Sequence, residues 1–267
     1  MFRTLSLTKR NFLFGADDAS SATTRLIATA AQATGFMKGE PGEAREGWHQ
    51  PGADNGAVLM ALRDTLAASY PNAGPAFWAV RLWTNLLWQP AYLAVIGVHL
   101  HGAVPDLVGL SQQRRGLYMD GFRLAVRPMW SGSTEAMIER AAGQLRTITE
   151  IMLEEVNTLE KLRPLPARRL LADRMLGLMV WLGHRRRDLN PEQVETFAGA
   201  WMQALGLTGQ GTLERVEAQG RQLLIVKRKG CCLDYLIDPD RLCATCPKQD
   251  NAVRVARQTA NALAEMG

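Results

Sequence analysis

Apolar residues recur along most of this chain at three- and four-residue spacings, which predicts a mostly helical fold with a small strand component. Residues 19–35 are Ala-rich and opened by Ser20 and Ser21, a first helix. Lys38, Gly39, Glu40, Pro41 and Gly42 then begin a polar loop that runs to Gly56. Leu59, Leu62, Leu66 and Ala67 place a second helix over 57–70, ended by Pro71. Residues 76–98 read as one long buried helix, or as two broken at Pro90, because proline lacks the amide proton a helix interior uses. Ile138, Ala142, Leu145, Ile148, Met152, Val156 and Leu159 share one stripe of a helix over 134–162 that stops at Pro164. Another helix covers 167–182, and a further one opens at Asn190-Pro191, an N-cap followed by proline at the first helical position.

Two segments read as β. Residues 117–119 and 122–126 flank Asp120-Gly121, and Asp-Gly between apolar runs predicts a hairpin. After Gly206 the texture changes: Gly209, Gly211 and Gly220 precede a short strand at 223–226, then a cysteine-bearing loop and an Ala-rich helix over 251–266. The expected class is helix-dominated α+β with a small antiparallel β component. The expected division is a helix-rich substrate-binding domain over 1–210 and a C-terminal module over 211–267.

At 267 residues the chain can bury a core without disulfides or metals. Its longest apolar region, 77–101, is interrupted by Arg81, Asn85, Gln89 and Pro90, so no transmembrane segment is expected. The opening MFRTLSLTKRNFLF has no apolar run of signal-peptide length, which disfavours secretion. A net charge of +5 tolerates anionic partners without specifying one. No Gly-rich phosphate fingerprint follows a strand, so the chain itself is not expected to bind NAD(P)H. His99 and His101 would point the same way on a strand but have no third ligand, and a core role suits them better.

The cysteines carry the chemistry. All four lie between 231 and 246, as Cys231-Cys232, ten residues, then Cys243-Ala244-Thr245-Cys246, followed by Pro247. Paired disulfides would need an oxidising compartment. Four thiolates on zinc usually come from paired Cys-x2-Cys turns; Cys243 and Cys246 fit that spacing, but adjacent Cys231 and Cys232 do not. A [2Fe-2S] cluster spreads its ligands over two irons and accepts the spacing with the least backbone distortion. Lys227, Arg228, Lys229 and Arg241 nearby favour thiolates electrostatically.

The segment from Lys227 through Pro247 resembles the C-terminal signature of the FhuF-type ferric-siderophore reductases, whose pattern is Cys-Cys-x10-Cys-x2-Cys, matched here without insertion or deletion. The resemblance implies a short C-terminal iron-sulfur module with a [2Fe-2S] cluster on Cys231, Cys232, Cys243 and Cys246. It implies one-electron reduction of imported Fe(III)-siderophore through that cluster, releasing Fe(II) in the cytoplasm, near the inner face of the membrane. Electrons would come from a ferredoxin, a flavodoxin or a separate NAD(P)H-dependent reductase.

Such chemistry needs a redox centre beside a chelate-sized pocket, with no general acid or nucleophile. Lys227, Arg228 and Lys229 are candidates for tuning the cluster or docking a partner, and Arg123 and Trp88 for meeting the siderophore. Arg127 and Arg185-Arg186-Arg187 are further cations of the same kind, and Trp78 and Trp83 are expected mainly in the core. Two rival readings remain: a zinc-binding protein that engages nucleic acid, and an iron-sulfur sensor of iron or redox state without turnover. A basic helix interleaved with aromatics, which the first rival would need, is missing from the sequence, so no nucleic-acid partner is expected.

Overall fold

The computed structural model describes residues 19–240 and 242–266. The opening segment MFRTLSLTKRNFLF, with its expected lack of a leader, and Arg241 lie outside the described residues. The described elements run α1 (Ala19–Thr34), β1 (Gly39–Pro41), α2 (Gly56–Ser69), α3 (Gly74–Ile96), β2 (Leu110–Arg115), β3 (Tyr118–Leu124), α4 (Thr134–Asn157), α5 (Pro164–Arg185), α6 (Pro191–Ala204), β4 (Gly211–Ala218), β5 (Arg221–Arg228) and α7 (Asn251–Met266). This is a helix-dominated α+β fold. Among the described residues no helix is long and apolar enough to cross a membrane.

α3 is the central element, buried on nearly every face through Phe77, Leu82, Trp83, Leu86, Leu87 and Leu93. A helix apolar all round belongs in a core, and α1, α2, α4 and α5 pack around it. Pro90 does not divide it: the helix runs through that position, because packing from four neighbours outweighs one lost backbone hydrogen bond. α4 is amphipathic as its stripe predicts, and its start is capped by Ser133 Oγ, which accepts from Ala136 N at 3.2 Å. Asn190 and Gln193 form a reciprocal capping box at the start of α6.

The hairpin is displaced from its predicted place. β2 and β3 pair antiparallel with Arg115 opposite Tyr118, so the turn falls at Gly116-Leu117, and Asp120-Gly121 lies inside β3. The register slips between Gln112 and Arg114, where Asp120 and Gly121 of β3 face the single residue Gln113 of β2, and Gly121 accommodates the bulge with φ 98°. α3 decides this. Asn85 Oδ1 accepts from Met119 N at 2.9 Å, and Trp88 Nε1 donates to Met119 O at 2.9 Å, so helix side chains satisfy the backbone that the bulge frees. β1 adds to the other edge of β3 in parallel, a short strand inside the segment predicted as loop. β4 and β5 form a separate hairpin; β5 extends the strand expected at 223–226 in both directions, and β4 is a strand that the sequence reading did not predict, its pattern being largely polar.

His99 sits not on a strand but in a π-helical turn, Gly97–His101, that continues α3. It is 7% exposed, its Nε2 accepts from Trp201 Nε1 at 2.9 Å, and its ring packs on Phe197. It is therefore a core histidine. Burial, then the Arg186 charge, lowers its pKa from 6.5 to about 4. A folded pKa below the unfolded one means that the neutral ring stabilises the fold fully above the unfolded value, and that this contribution is lost as pH falls through the window from 6.5 to about 4. The amount is about 3 kcal/mol at 1.36 kcal/mol per unit. Urea unfolding of the wild type is expected to weaken across this window, and His99→Gln, which keeps an acceptor for Trp201 but does not titrate, is expected to flatten that part of the slope. An unchanged slope in the variant would assign the acid sensitivity elsewhere.

Candidate cluster site and the cavity beside it

The cysteines follow β5 on a loop held by three elements. The first is α5. Asp173, whose side chain is 3% exposed, accepts from Arg228 Nε at 3.2 Å, from Lys229 N at 3.2 Å and from Gly230 N at 2.7 Å. Burial pushes this carboxyl up, while the Arg228 charge and the two amides pull against the shift. Gly230 is the residue that permits the close approach, since a Cβ there would lie 2.6 Å from Asp173 Oδ2 and 3.0 Å from Leu170 N. The second is α7, where the Gln258 side chain both donates to Val226 O and accepts from Val226 N at 3.0 Å, extending β5 as a strand would. Arg254, also buried, reaches Val226 O and pairs with Glu214 of β4. The third is Gln249, whose amide donates to the carbonyls of Cys243 and Ala244 and so fixes the Cys-x2-Cys turn.

All four cysteines are free thiols, three half-buried and Cys246 buried. Cys232 Sγ and Cys243 Sγ stand 4.0 Å apart. Two thiolates on one tetrahedral metal, each about 2.3 Å from it, would be roughly 3.8 Å apart, so this pair already has the spacing of a shared metal. Among the described residues no three His, Cys, Asp or Glu side chains close around one ion position, so a single tetrahedral zinc site is not preformed. Arg228 Nη1 lies 3.8 Å from Cys243 Sγ and donates to Thr245 Oγ1 at 3.1 Å. The contact with Cys232 first, then the Arg228 charge and Thr245, hold the Cys243 thiol down at about 6 against the effect of burial. The same contact, with burial, pushes the Cys232 thiol up. Burial likewise pushes the Cys231 thiol up. The donor set suits a cluster that needs thiolates next to a fixed cation.

A cavity of about 500 Å³ opens directly against this loop, with Cys232 and Thr245 in one wall. α3 contributes one helical face, Arg81, Asn85, Trp88 and Tyr92, and α5 another, Asp173, Arg174 and Gly177. The size is that of ordinary small-molecule sites, roughly 300–1,000 Å³. Trp88, Tyr92, Trp181 and exposed Phe36 form one aromatic cluster at its edge, with neighbouring centroids 5.5–6.1 Å apart.

Of the residues singled out from sequence, Trp88 and Arg228 line the cavity. Arg123 does not; it projects from β3 and donates to Pro41 O. Lys227 is exposed and pairs with Glu214 at 3.0 Å, and Lys229 Nζ donates to Gly209 O at 2.7 Å. Arg127 pairs with Asp106, and Arg186 with Asp188. Trp83 is core, donating to Ala167 O, and Trp78 donates to Tyr70 O. Arg81, Tyr92, Asp173, Arg174 and Gly177 were not singled out. Their signal was present: Asp173-Arg174 interrupts the apolar run from Leu170 to Leu176, and Arg81 and Asn85 interrupt the longest apolar region of the chain.

The cysteine loop is thus clamped to the end of β5 and faces a ligand-sized cavity. Residues 228–248 match the family model described as the FhuF 2Fe-2S C-terminal domain, which contains all four cysteines and Arg228. The segment is thus similar to the FhuF-type domain, and the cofactor this supports is a [2Fe-2S] cluster. No solved structure matches the chain.

Proposed function

We propose that this protein is a ferric-siderophore reductase. The observation that carries the reading is the cavity with Cys232 in its wall, a ligand-sized space in contact with the module that matches the FhuF 2Fe-2S domain. In this reading Cys231, Cys232, Cys243 and Cys246 hold the cluster, which when bound supplies electrons one at a time. Residues 211–267 form the cluster module, and the helix-rich part within 1–210 provides most of the chelate site.

The chain's own residues do the rest. Trp88 and Tyr92 wall the chelate in, Arg228 keeps a fixed positive charge beside the cysteines, and Asp173 holds Arg228 and the loop in place. The net reaction adds one electron to Fe(III) in its oxygen-donor chelate, giving Fe(II). The electron comes from a reduced carrier, a ferredoxin, a flavodoxin or an NAD(P)H-dependent reductase, which is oxidised in the exchange. No bond of the chelator breaks. Hard oxygen donors hold Fe(II) far less tightly than Fe(III), so iron then passes to other ligands. In this reading exposed Lys227 and Lys229 meet an acidic carrier. The chemistry belongs in the cytoplasm, near the inner membrane face where imported chelates arrive.

The test is protein purified without oxygen, assayed for visible absorption, iron, sulfide and zinc, then mixed with ferric chelate, a chemical reductant and a ferrous-specific dye. A red-brown protein with about two irons and two sulfides per chain that accelerates ferrous release supports the reading. An intact cluster with no acceleration for any chelate would favour a sensor. Stoichiometric zinc in protein that stays colourless after reconstitution with iron and sulfide would remove the redox mechanism.

A further inference from the structure

One cation on the cavity wall has no side-chain partner. Three guanidinium groups line it, those of Arg81, Arg174 and Arg228. Arg81 is paired with Asp234. Arg228 is paired with Asp173 and also faces Cys243, so it answers both a carboxylate and the thiolates of the cluster site. Arg174 stands apart. Among the described residues no carboxylate pairs with it and no acceptor takes its hydrogen bonds, although it is half-buried and protein surrounds it on the remaining sides. Burial works against its charge, and Arg228 on the same wall adds repulsion. Tyr92, the nearest group that could offset it by ionising, is itself pushed toward the neutral phenol by burial.

A cation held in such a place is costly unless something anionic joins it. Its five donors form a rigid fork matched to oxygen anions. The aromatic face of Trp88 and Tyr92 across the same space suits a ligand whose oxygen donors are carried on flat rings.

We propose that the cavity selects ferric chelates of net negative charge, of the catecholate type, over neutral ones, and that Arg174 reads that charge. The inference rests on the reductase reading and adds its substrate class. Neutral hydroxamate chelates also present oxygen to the guanidinium, but only an anionic chelate adds a full Coulomb attraction, which is strong where water is excluded.

Two gallium(III) complexes make the test, a hexadentate tris-catecholate carrying net negative charge and a hexadentate tris-hydroxamate carrying none. Gallium is redox-inert, so binding to the full chain is read by tryptophan fluorescence or calorimetry without turnover. The anionic complex is expected to bind at least about tenfold more tightly, with an affinity that falls as salt rises. Arg174→Met is expected to cost it on the order of 10- to 100-fold and to leave the neutral complex unchanged. Equal or tighter binding of the neutral complex by the wild type would overturn the inference, as would an unchanged preference in a folded Arg174→Met. If that variant does not fold, the wild-type ratio and its salt dependence decide alone. Binding and reduction of only neutral chelates would sink this inference and leave the reductase reading standing, whereas failure of both complexes to bind would sink both.

Discussion

Replacing Cys243 with alanine is expected to abolish the visible absorption of the anaerobically purified protein and to bring its iron and sulfide to background. The Cys243 thiol is held toward its ionised form by its contact with Cys232 and by Arg228, and it stands 4.0 Å from Cys232. Losing it removes one thiolate from the ligand set and one side of the Cys232–Cys243 pair, which is already at metal-sharing distance. The fold should survive. Cys243 is half-buried on a loop, and the clamps on that loop run through Asp173, Gln249 and Gln258. Far-UV circular dichroism and melting should therefore stay near wild type while ferrous release disappears. Cys246 makes a poorer test, since it is 3% exposed and its removal also disturbs packing. A Cys243→Ala protein that keeps two irons and its colour would show that the sulfur is no ligand, and the four-cysteine assignment would fall with it.

The second large effect is expected at Gly177, a residue with no chemistry of its own. It lies within α5 and lines the cavity, and a Cβ built on it would meet nothing within 4 Å. A side chain there has room to start, and a larger one would extend into the ligand's space. Gly177→Phe is expected to leave the cluster spectrum intact and to lower kcat/KM for chelate reduction on the order of 100-fold or more. Gly177→Ala should have a small effect on turnover. Both replace a helix-interior glycine, so stability should rise by about 0.5–1 kcal/mol in the alanine variant and not fall in the other. Activity down with stability kept is a pattern that general damage to the fold does not produce. Full activity in Gly177→Phe would mean that the chelate binds elsewhere.

Much of this protein was legible in one dimension. Helices α1 through α7 follow from apolar spacing, from prolines near helix ends and from the Asn190-Pro191 start, because these are local preferences that tertiary packing reinforced. The cluster module was legible too: four cysteines in sixteen residues, spaced to the FhuF pattern, are a chemical statement that needs no coordinates.

What the tertiary structure decided were the choices between competing local signals and the meetings of distant residues. Asp120-Gly121 has every local mark of a hairpin turn, yet Asn85 and Trp88, more than thirty residues earlier, bind Met119 and make it a bulge within a strand. Pro90 should weaken its helix, yet packing on all sides carries the helix through. The cavity is the clearest case. Its walls come from α3, α5, β5 and the cysteine loop, and nothing in the spacing of Arg81, Trp88, Arg174, Arg228 and Cys232 along the chain announces that they share one space. Periodicity tells which face of a helix differs from the others, but only the packing of the helices tells what that face looks upon. Asp173 and Arg174 are charges in an apolar run that sequence reading passed over; the fold made one the anchor of the cysteine loop and left the other without a carboxylate partner.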